Sequence, residues 1–303
     1  MTEESNDYAE SWVAEARVLS EALPYMRRHA GSTIVVKFGG HSMGDPDLSR
    51  LFARDIVLLR QVGINPIVVH GGGPQIGAML ERLGVQSEFV DGHRVTDEVT
   101  VEVVEMVLSG TINKQLVSNI NEAGGRAAGL SGKDSRLIQA DKLTRTTRDP
   151  ESNIEKVLDL GLVGEPRQVD PHILSCFDNS DITPVIAPIG VGPKGETLNI
   201  NADTAAGAIA SAAAAARLYI LTDVVGVLGK DGKVVPEITA AEAQAAIEAG
   251  TIEGGMIPKV ETCLKALNAG VEAATIIDGR VPHAILIELF YHQHLCSPHN
   301  LKL

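Results

Sequence analysis

Aromatic side chains are scarce in this chain: they make up 3% of its residues, and tryptophan occurs once. With 44% apolar content the core must be aliphatic, and 303 residues suit one large α/β domain or two fused lobes. Basic charge is also short. The 26 Lys and Arg against 39 Asp and Glu leave a net charge of −13. That balance argues against nucleic acid and anionic membrane as partners, since both need a basic face. It also means that an anionic substrate must be held by locally placed Lys and Arg. Long hydrophobic runs are missing, and the small-residue stretch 205–216 is too short and alanine-rich to span a bilayer. The acidic start, Met1-Thr2-Glu3-Glu4, argues against a secretory or transit peptide. Three cysteines (Cys176, Cys263, Cys296) without metal-ligand spacing fit a reduced, cytoplasmic protein, and no protein metal ligand is expected.

What is present is glycine in two telling places. Val35-Val36-Lys37-Phe38-Gly39-Gly40 and Val68-Val69-His70-Gly71-Gly72-Gly73-Pro74 each join a β-branched run to a glycine turn. Such runs read as buried strands. Glycine directly after a strand lets the backbone approach a bulky anion and aim N–H groups at it, and the next helix adds its positive end. Two such cradles suit a site for more than one anionic group, and phosphate chemistry leads.

From position 33 onward strands and helices alternate. Strands are expected over 33–38, 66–70, 182–187, 218–222 and 273–277. Helices are expected over 47–62, 74–83, 97–109, 112–123, 203–216, 240–249 and 256–268, with hairpins within 137–169. The pattern predicts an α/β fold, a three-layer αβα sandwich around a mainly parallel sheet, with ligands outside the carboxyl ends of the strands. Tyr8, Trp12, Ala16, Leu19 and Leu23 recur at helical spacing before a kinking Pro24, which adds an N-terminal helix whose apolar stripe needs a partner. No segment supplies a Walker A loop; Gly129-Leu130-Ser131-Gly132-Lys133-Asp134 has the wrong spacing. Gly71, Gly73 and Gly77 with Asp91 fit a dinucleotide fingerprint only loosely, because Asp91 reads as a turn residue.

Five segments taken together are more specific: Lys37-Phe38-Gly39-Gly40, His70 to Pro74, Gly92-His93-Arg94-Val95-Thr96, Asn199-Ile200-Asn201-Ala202-Asp203, and Gly254-Gly255-Met256-Ile257-Pro258-Lys259. With them the chain resembles the amino acid kinase family, and within it the branch that phosphorylates N-acetyl-L-glutamate. The resemblance runs over nearly all of 33–290. It departs at His93, where the family usually has Leu, and at Val225, where it usually has Pro. Glutamate 5-kinase and aspartokinase share the fold and much of the glycine pattern, and an inactive arginine-sensing scaffold is a reading from another class.

The resemblance implies transfer of the γ-phosphoryl group of ATP to the side-chain carboxylate of N-acetylglutamate, in arginine biosynthesis. That carboxylate is already ionised at neutral pH, so positioning and charge neutralisation carry the catalysis. Lys37 and Lys259 would clamp the transferring and leaving phosphates, with Asp203 holding both; Asp203 also reads as a helix N-cap. Gly72 and Gly73 would offer N–H groups to the substrate, Arg94 would pair with its α-carboxylate, and Asn199 would hydrogen-bond it. His70 reads as a packed strand-end residue rather than a base. Gly39, Gly40, Asp223, Val224, Gly226, Val227, Leu228, Gly255 and Met256 would line the nucleotide, with Mg²⁺ bound through its phosphates. Residues 1–32 would form an oligomerising kinked helix, 33–205 the amino-acid-binding lobe, and 206–303 the ATP-binding lobe.

Family members with such an N-terminal helix form hexameric trimers of dimers and are inhibited by arginine. Tyr25, His283 and Glu288 fall at matching effector positions, and a PII-type signalling protein enters as a further partner to consider. The tail after Phe290 lacks the family's glycine-containing stretch and reads as disordered.

Overall fold

The computed structural model describes residues 28–90, 92–148, 155–178, 180–227, 235, 237–291 and 301–302, with positions 12, 13, 16, 17, 20, 21 and 24 before them. In chain order the strands are β1 (Thr33–Phe38), β2 (Asn65–His70), β3 (Phe89–Val90), β4 (His93–Arg94), β5 (Arg126–Ser131), β6 (Ile138–Arg148), β7 (Glu155–Val169), β8 (Ile182–Ala187), β9 (Ile189–Val191), β10 (Thr197–Ile200), β11 (Arg217–Thr222), β12 (Glu237–Ile238), β13 (Ala273–Asp278) and β14 (Leu301–Lys302). The helices are α1 (Pro46–Gln61), α2 (Gly73–Arg82), α3 (Glu98–Glu105), α4 (Asn113–Glu122), α5 (His172–Asp178), α6 (Ala202–Ala212), α7 (Ala240–Glu248), α8 (Ile257–Asn268) and α9 (Ala284–Tyr291).

One sheet of eight strands runs β12-β14-β13-β11-β1-β2-β8-β5 and is parallel except where β12 meets β14. The period of two along β1 sorts its side chains between the two helical layers. Val35 joins the core under α6 and α8, with Ile209, Val260 and Cys263. Ile34, Val36 and Phe38 join the core under α1 and α4, with Phe52, Ile56 and Leu116. Phe38 stacks on Phe52 with ring centroids 3.9 Å apart. The same alternation has a functional result: Lys37 falls on the α6–α8 side, and His70, two residues beyond Val68 on β2, falls on the α4 side.

Three differences from the sequence reading have local causes. The segment expected as two helices is one continuous run, because a π-helical stretch, Met106–Ile112, joins α3 to α4. Strand β5 was not expected, since Arg126-Ala127-Ala128-Gly129-Leu130-Ser131 has no β-branched residue; its pairing with β8 at the sheet's end makes it a strand. The tail expected to be disordered supplies β14, which lies parallel to β13 through Ala274–Leu301 and Thr275–Lys302. The expected hairpin within 137–169 is the antiparallel pair β6–β7, closed with β9 and β10 into a small four-stranded ring. Helix α1 is capped by Asp45, whose Oδ1 accepts from Asp47 N at 2.8 Å, and Pro46 opens it.

Candidate active site

The site forms where β1, β2 and β10 end and α2, α6 and α8 begin. Lys37 is the last inward residue of β1 on the α6–α8 side, and its side chain folds back across Gly39. A Cβ on Gly39 would stand 2.7 Å from Lys37 Nζ, so a side chain here would push the ammonium group off this position. Asn201 caps α6: its Oδ1 accepts from Asp203 N at 2.8 Å and from Thr204 N at 3.3 Å. The expectation that Asp203 is the N-cap is therefore corrected by two residues. Asp203 lies in the first turn, so its carboxylate is not used as the cap, and the positive end of the helix lies beneath it. Lys259 lies in the first turn of α8, just after Pro258.

Asp203 joins the two lysines. Lys37 Nζ is 2.9 Å from Oδ1 and Lys259 Nζ is 2.6 Å from Oδ2. The side chains of Lys37, Asp203 and Lys259 are 8%, 7% and 18% exposed. Such burial pushes a carboxyl pKa upward, but the two ammonium groups outweigh it and hold Asp203 down to about 2. The carboxylate is thus ionised throughout the physiological range. Three charged groups carry a net charge of +1 in a largely dry setting, where a further anion is drawn strongly.

Two cavities meet at this triad, and Lys259 lines both. The smaller, of about 270 Å³, is walled by Lys37, Gly40, Gly71 to Gly73, Arg94, Asn199 and Asp203 among others. Gly72, Gly73, Arg94 and Asn199 are thereby brought together as expected. A Cβ on Gly72 would run into Ile112 Cδ1 and Leu108 Cδ2, so those two buried side chains would have to move to admit one. At Gly73 a Cβ would meet nothing within 4 Å. The Gly72 and Gly73 N–H groups donate to no group among the described residues and remain available to a ligand.

Arg94 is buried on β4 with no carboxylate partner among the described residues. Its Nη2 donates to Gly73 O at 3.0 Å, its Nη1 donates to Ser87 Oγ, and its guanidinium lies 4.5 Å over the Phe89 ring. A buried guanidinium with no counter-ion is arranged for an incoming anion. Asn199 Nδ2 donates to Thr96 Oγ1 at 3.3 Å, and Thr96 Oγ1 donates to Arg94 O at 2.8 Å, so substrate-facing groups support one another.

The larger cavity, of about 570 Å³, is lined by Asp223, Val224, Gly226, Val227, Gly255 and Met256, together with Val225, Thr251, Ile252 and Arg280. Six of the nine residues expected to line a nucleotide are here. Gly40 instead lines the smaller cavity, Gly39 makes room for Lys37, and Leu228 lies outside the described residues. Arg280 is held by Asp278 through Nε–Oδ1 at 2.8 Å and Nη2–Oδ2 at 2.7 Å.

His283 and Glu288 lie away from both cavities. His283 has positive φ (+59°), and its Nδ1 is 2.6 Å from Oδ1 of the buried Asp55 on α1. Burial raises the Asp55 pKa, and His283 opposes that rise. Tyr25 lies outside the described residues.

Sequence reasoning missed Phe89, Asn201 and Asn113. Asn201 falls within a segment already singled out, and Phe89 lies three positions before another. Asn113 gives no local signal, because its partners come from three distant strands.

A parallel sheet flanked by helices, with glycine turns and two lysines around one acid at its carboxyl edge, defines an α/β phosphotransferase. The chain belongs to the amino acid kinase family, which residues 32–278 match. It is 66% identical over 281 residues to acetylglutamate kinase of Rhodospirillum centenum, an alignment spanning 93% of this chain and 92% of that protein. The acetylglutamate kinase of Rhodospirillum rubrum is likewise 66% identical, over 93% of this chain and 91% of the relative. Among solved structures, N-acetylglutamate synthase from Neisseria gonorrhoeae, complexed with coenzyme A and N-acetyl-glutamate, superposes with a TM-score of 0.76 at 24% identity. The match covers 94% of this chain but 62% of that longer protein, and speaks to the fold alone.

Proposed function

We propose that this protein is a carboxyl-group phosphotransferase that moves the γ-phosphoryl group of ATP onto the side-chain carboxylate of N-acetyl-L-glutamate, in arginine biosynthesis. The 66% identity to two acetylglutamate kinases supports this reading. The observation that carries it is the Lys37–Asp203–Lys259 triad at the meeting of two cavities.

In this reading acetylglutamate occupies the smaller cavity. Arg94 takes its α-carboxylate through the planar guanidinium fork, and Asn199 hydrogen-bonds the acylated amino acid. ATP occupies the larger cavity, its phosphates directed at Lys259. The γ-carboxylate oxygen attacks the terminal phosphorus; the bond to the β,γ-bridging oxygen breaks, and ADP leaves with that electron pair. Lys37 and the Gly72 N–H meet the transferring group, and Lys259 meets the leaving oxygen. No base is required, because the nucleophile is already ionised. The barrier is mutual repulsion between anions, which preorganised positive groups in a dry site lower most effectively. Asp203 keeps the lysines apart and aimed. Magnesium fits this site through phosphate oxygens, since the one buried carboxylate at the junction is occupied by two ammonium groups; bound there, it would neutralise phosphate charge.

Elements before position 206 would supply the acetylglutamate side and later ones the nucleotide side, with Lys259 shared by both. We further propose a cytoplasmic protein, because three cysteines without metal-ligand spacing suit a reducing compartment. The N-terminal segment serves assembly into a hexamer, since Trp12 and Val13 are 67% and 69% exposed and need cover. Arginine would act near His283 and Glu288, and a PII-type protein would act through the assembled surface.

A coupled ADP-release assay with N-acetylglutamate, glutamate and aspartate in parallel tests the reading. Turnover with acetylglutamate alone is expected; turnover with glutamate or aspartate instead, or with none, refutes it.

A further inference from the structure

His70 ends β2 with no exposed surface, between the sheet and α4. The phosphoryl-transfer chemistry gives it no proton to move. Its two ring nitrogens nevertheless have different and fixed partners. Nδ1 lies 2.9 Å from Gly71 O, and Nε2 lies 3.3 Å from Asn113 Nδ2.

The Asn113 amide is oriented by two main-chain carbonyls: its Nδ2 donates to Val185 O at 2.8 Å and Leu130 O at 3.2 Å. Its other end, Oδ1, accepts from Lys114 Nζ at 3.2 Å. A flipped amide would set its oxygen against both carbonyls, so the nitrogen faces His70; its two hydrogens go to those carbonyls, and the nitrogen itself accepts nothing from an Nε2–H. Nε2 therefore carries the lone pair, and the proton is on Nδ1, where Gly71 O accepts it. A Cβ at Gly129 would collide with Asn113 Oδ1, so the β5 backbone is shaped around this amide. An imidazolium would point an N–H at the Asn113 amino group. Burial together with the Lys114 charge keeps the ring neutral, while the bond to Gly71 O opposes them; the pKa falls to about 4.

The consequence lies one peptide bond further on. The chain has no cis peptide among the described residues, so Gly71 C=O and Gly72 N–H point in opposite directions. Drawing the carbonyl back toward His70 turns the N–H forward, into the cavity lined by Gly71 to Gly73. Gly71 N donates to Phe38 O at 2.8 Å and Gly72 O accepts from Ile76 N at 2.9 Å, which holds both sides of this peptide, but glycine at both positions leaves the plane between them able to flip.

We propose that His70 is a positioning residue for phosphoryl transfer: held in its Nδ1–H tautomer by Asn113, it locks the Gly71–Gly72 peptide so that the Gly72 N–H faces the transferring group. The role rests on the phosphotransferase reading given above. It assigns to a buried histidine the preorganisation of a donor that glycine alone cannot fix.

The test has two arms on the full-length protein. Ring ¹⁵N NMR of the wild type at neutral pH should show His70 protonated at Nδ1 and bare at Nε2; the opposite tautomer, or an imidazolium, overturns the proposal. In kinetics, His70→Asn sets an amide nitrogen where Nδ1 stood and should keep most of kcat. His70→Gln reaches toward Asn113 but leaves Gly71 O without a donor, and should lose on the order of 10²-fold in kcat. KM for ATP should stay unchanged in both. Equal losses, or equal retention, in the two variants refute the role, and the NMR arm decides if either variant fails to fold. A wild type inactive on acetylglutamate would overturn the functional reading and the role with it. The wrong tautomer in an active enzyme would overturn the role alone.

Discussion

Replacing Asp203 by Asn keeps the shape of the side chain and removes the charge that sits between one buried and one partly buried ammonium group. In the native protein Asp203 is held near 2 against an ordinary 3.8. At ~1.4 kcal/mol per pH unit, this favours the ionised folded state by roughly 2 to 3 kcal/mol. A depressed carboxyl pKa gives stabilisation that is complete above the unfolded value, near 4, and fades as pH falls through about 2. Removing one partner of a buried ionic cluster also strands the others, which sets the loss at about 3 to 5 kcal/mol. Asp203→Asn should therefore lower the unfolding free energy by several kcal/mol at pH 7, with the gap to wild type narrowing toward pH 2. Free of their tether, the lysines lose their aim, and kcat should fall on the order of 10²- to 10³-fold. Denaturant melts across pH, alongside the ADP-release assay, read both effects. Wild-type kcat together with an unchanged pH–stability profile would show that the triad neither organises nor drives the site.

Other substitutions separate shape from charge. Arg94→Lys keeps the charge but loses the planar fork and the stacking on Phe89, so KM for acetylglutamate should rise about tenfold or more with KM for ATP unchanged; equal shifts in both would refute the assignment. Gly72→Ala drives a methyl into Ile112 and Leu108 and should cost about 1 to 3 kcal/mol in stability. Gly73→Ala meets nothing, and should change substrate KM while the melting temperature holds. His283→Ala removes the group that opposes the burial-driven rise of the Asp55 pKa. A carboxyl whose folded pKa is raised loses stability as pH climbs through that value, so the variant should be destabilised at pH 7 to 8 and little changed near pH 4. Asp55→Asn in the same background should restore it, as thermal melts across pH would record.

Much of the fold was legible because its signals are local. Strands β1 and β8 were read at their observed bounds, and β2, β11 and β13 within a residue, because buried parallel strands are near-continuous β-branched or aliphatic runs. Lys37, Gly72, Arg94 and Asp203 stood out because each lies beside a glycine or a helix start. Elements that owe their form to neighbours were not legible. Strand β5 has no strand-forming residue, β14 gains its form by pairing with β13, and the π-helical stretch 106–112 differs from α-helix by a registry that residue types do not announce.

The order of residues along the chain by itself determined an aliphatic α/β protein with two anion cradles and the chemistry of their side chains, since strand period, turn glycine and formal charge are properties of short segments. Only tertiary structure decided that one carboxylate from α6 would bind lysines 166 and 56 residues away from it. Tertiary structure also brought Asn113 behind His70, and made Lys259 the shared wall of two cavities. Those relations depend on which strands become neighbours in the sheet, and that is settled by burying two apolar faces at once.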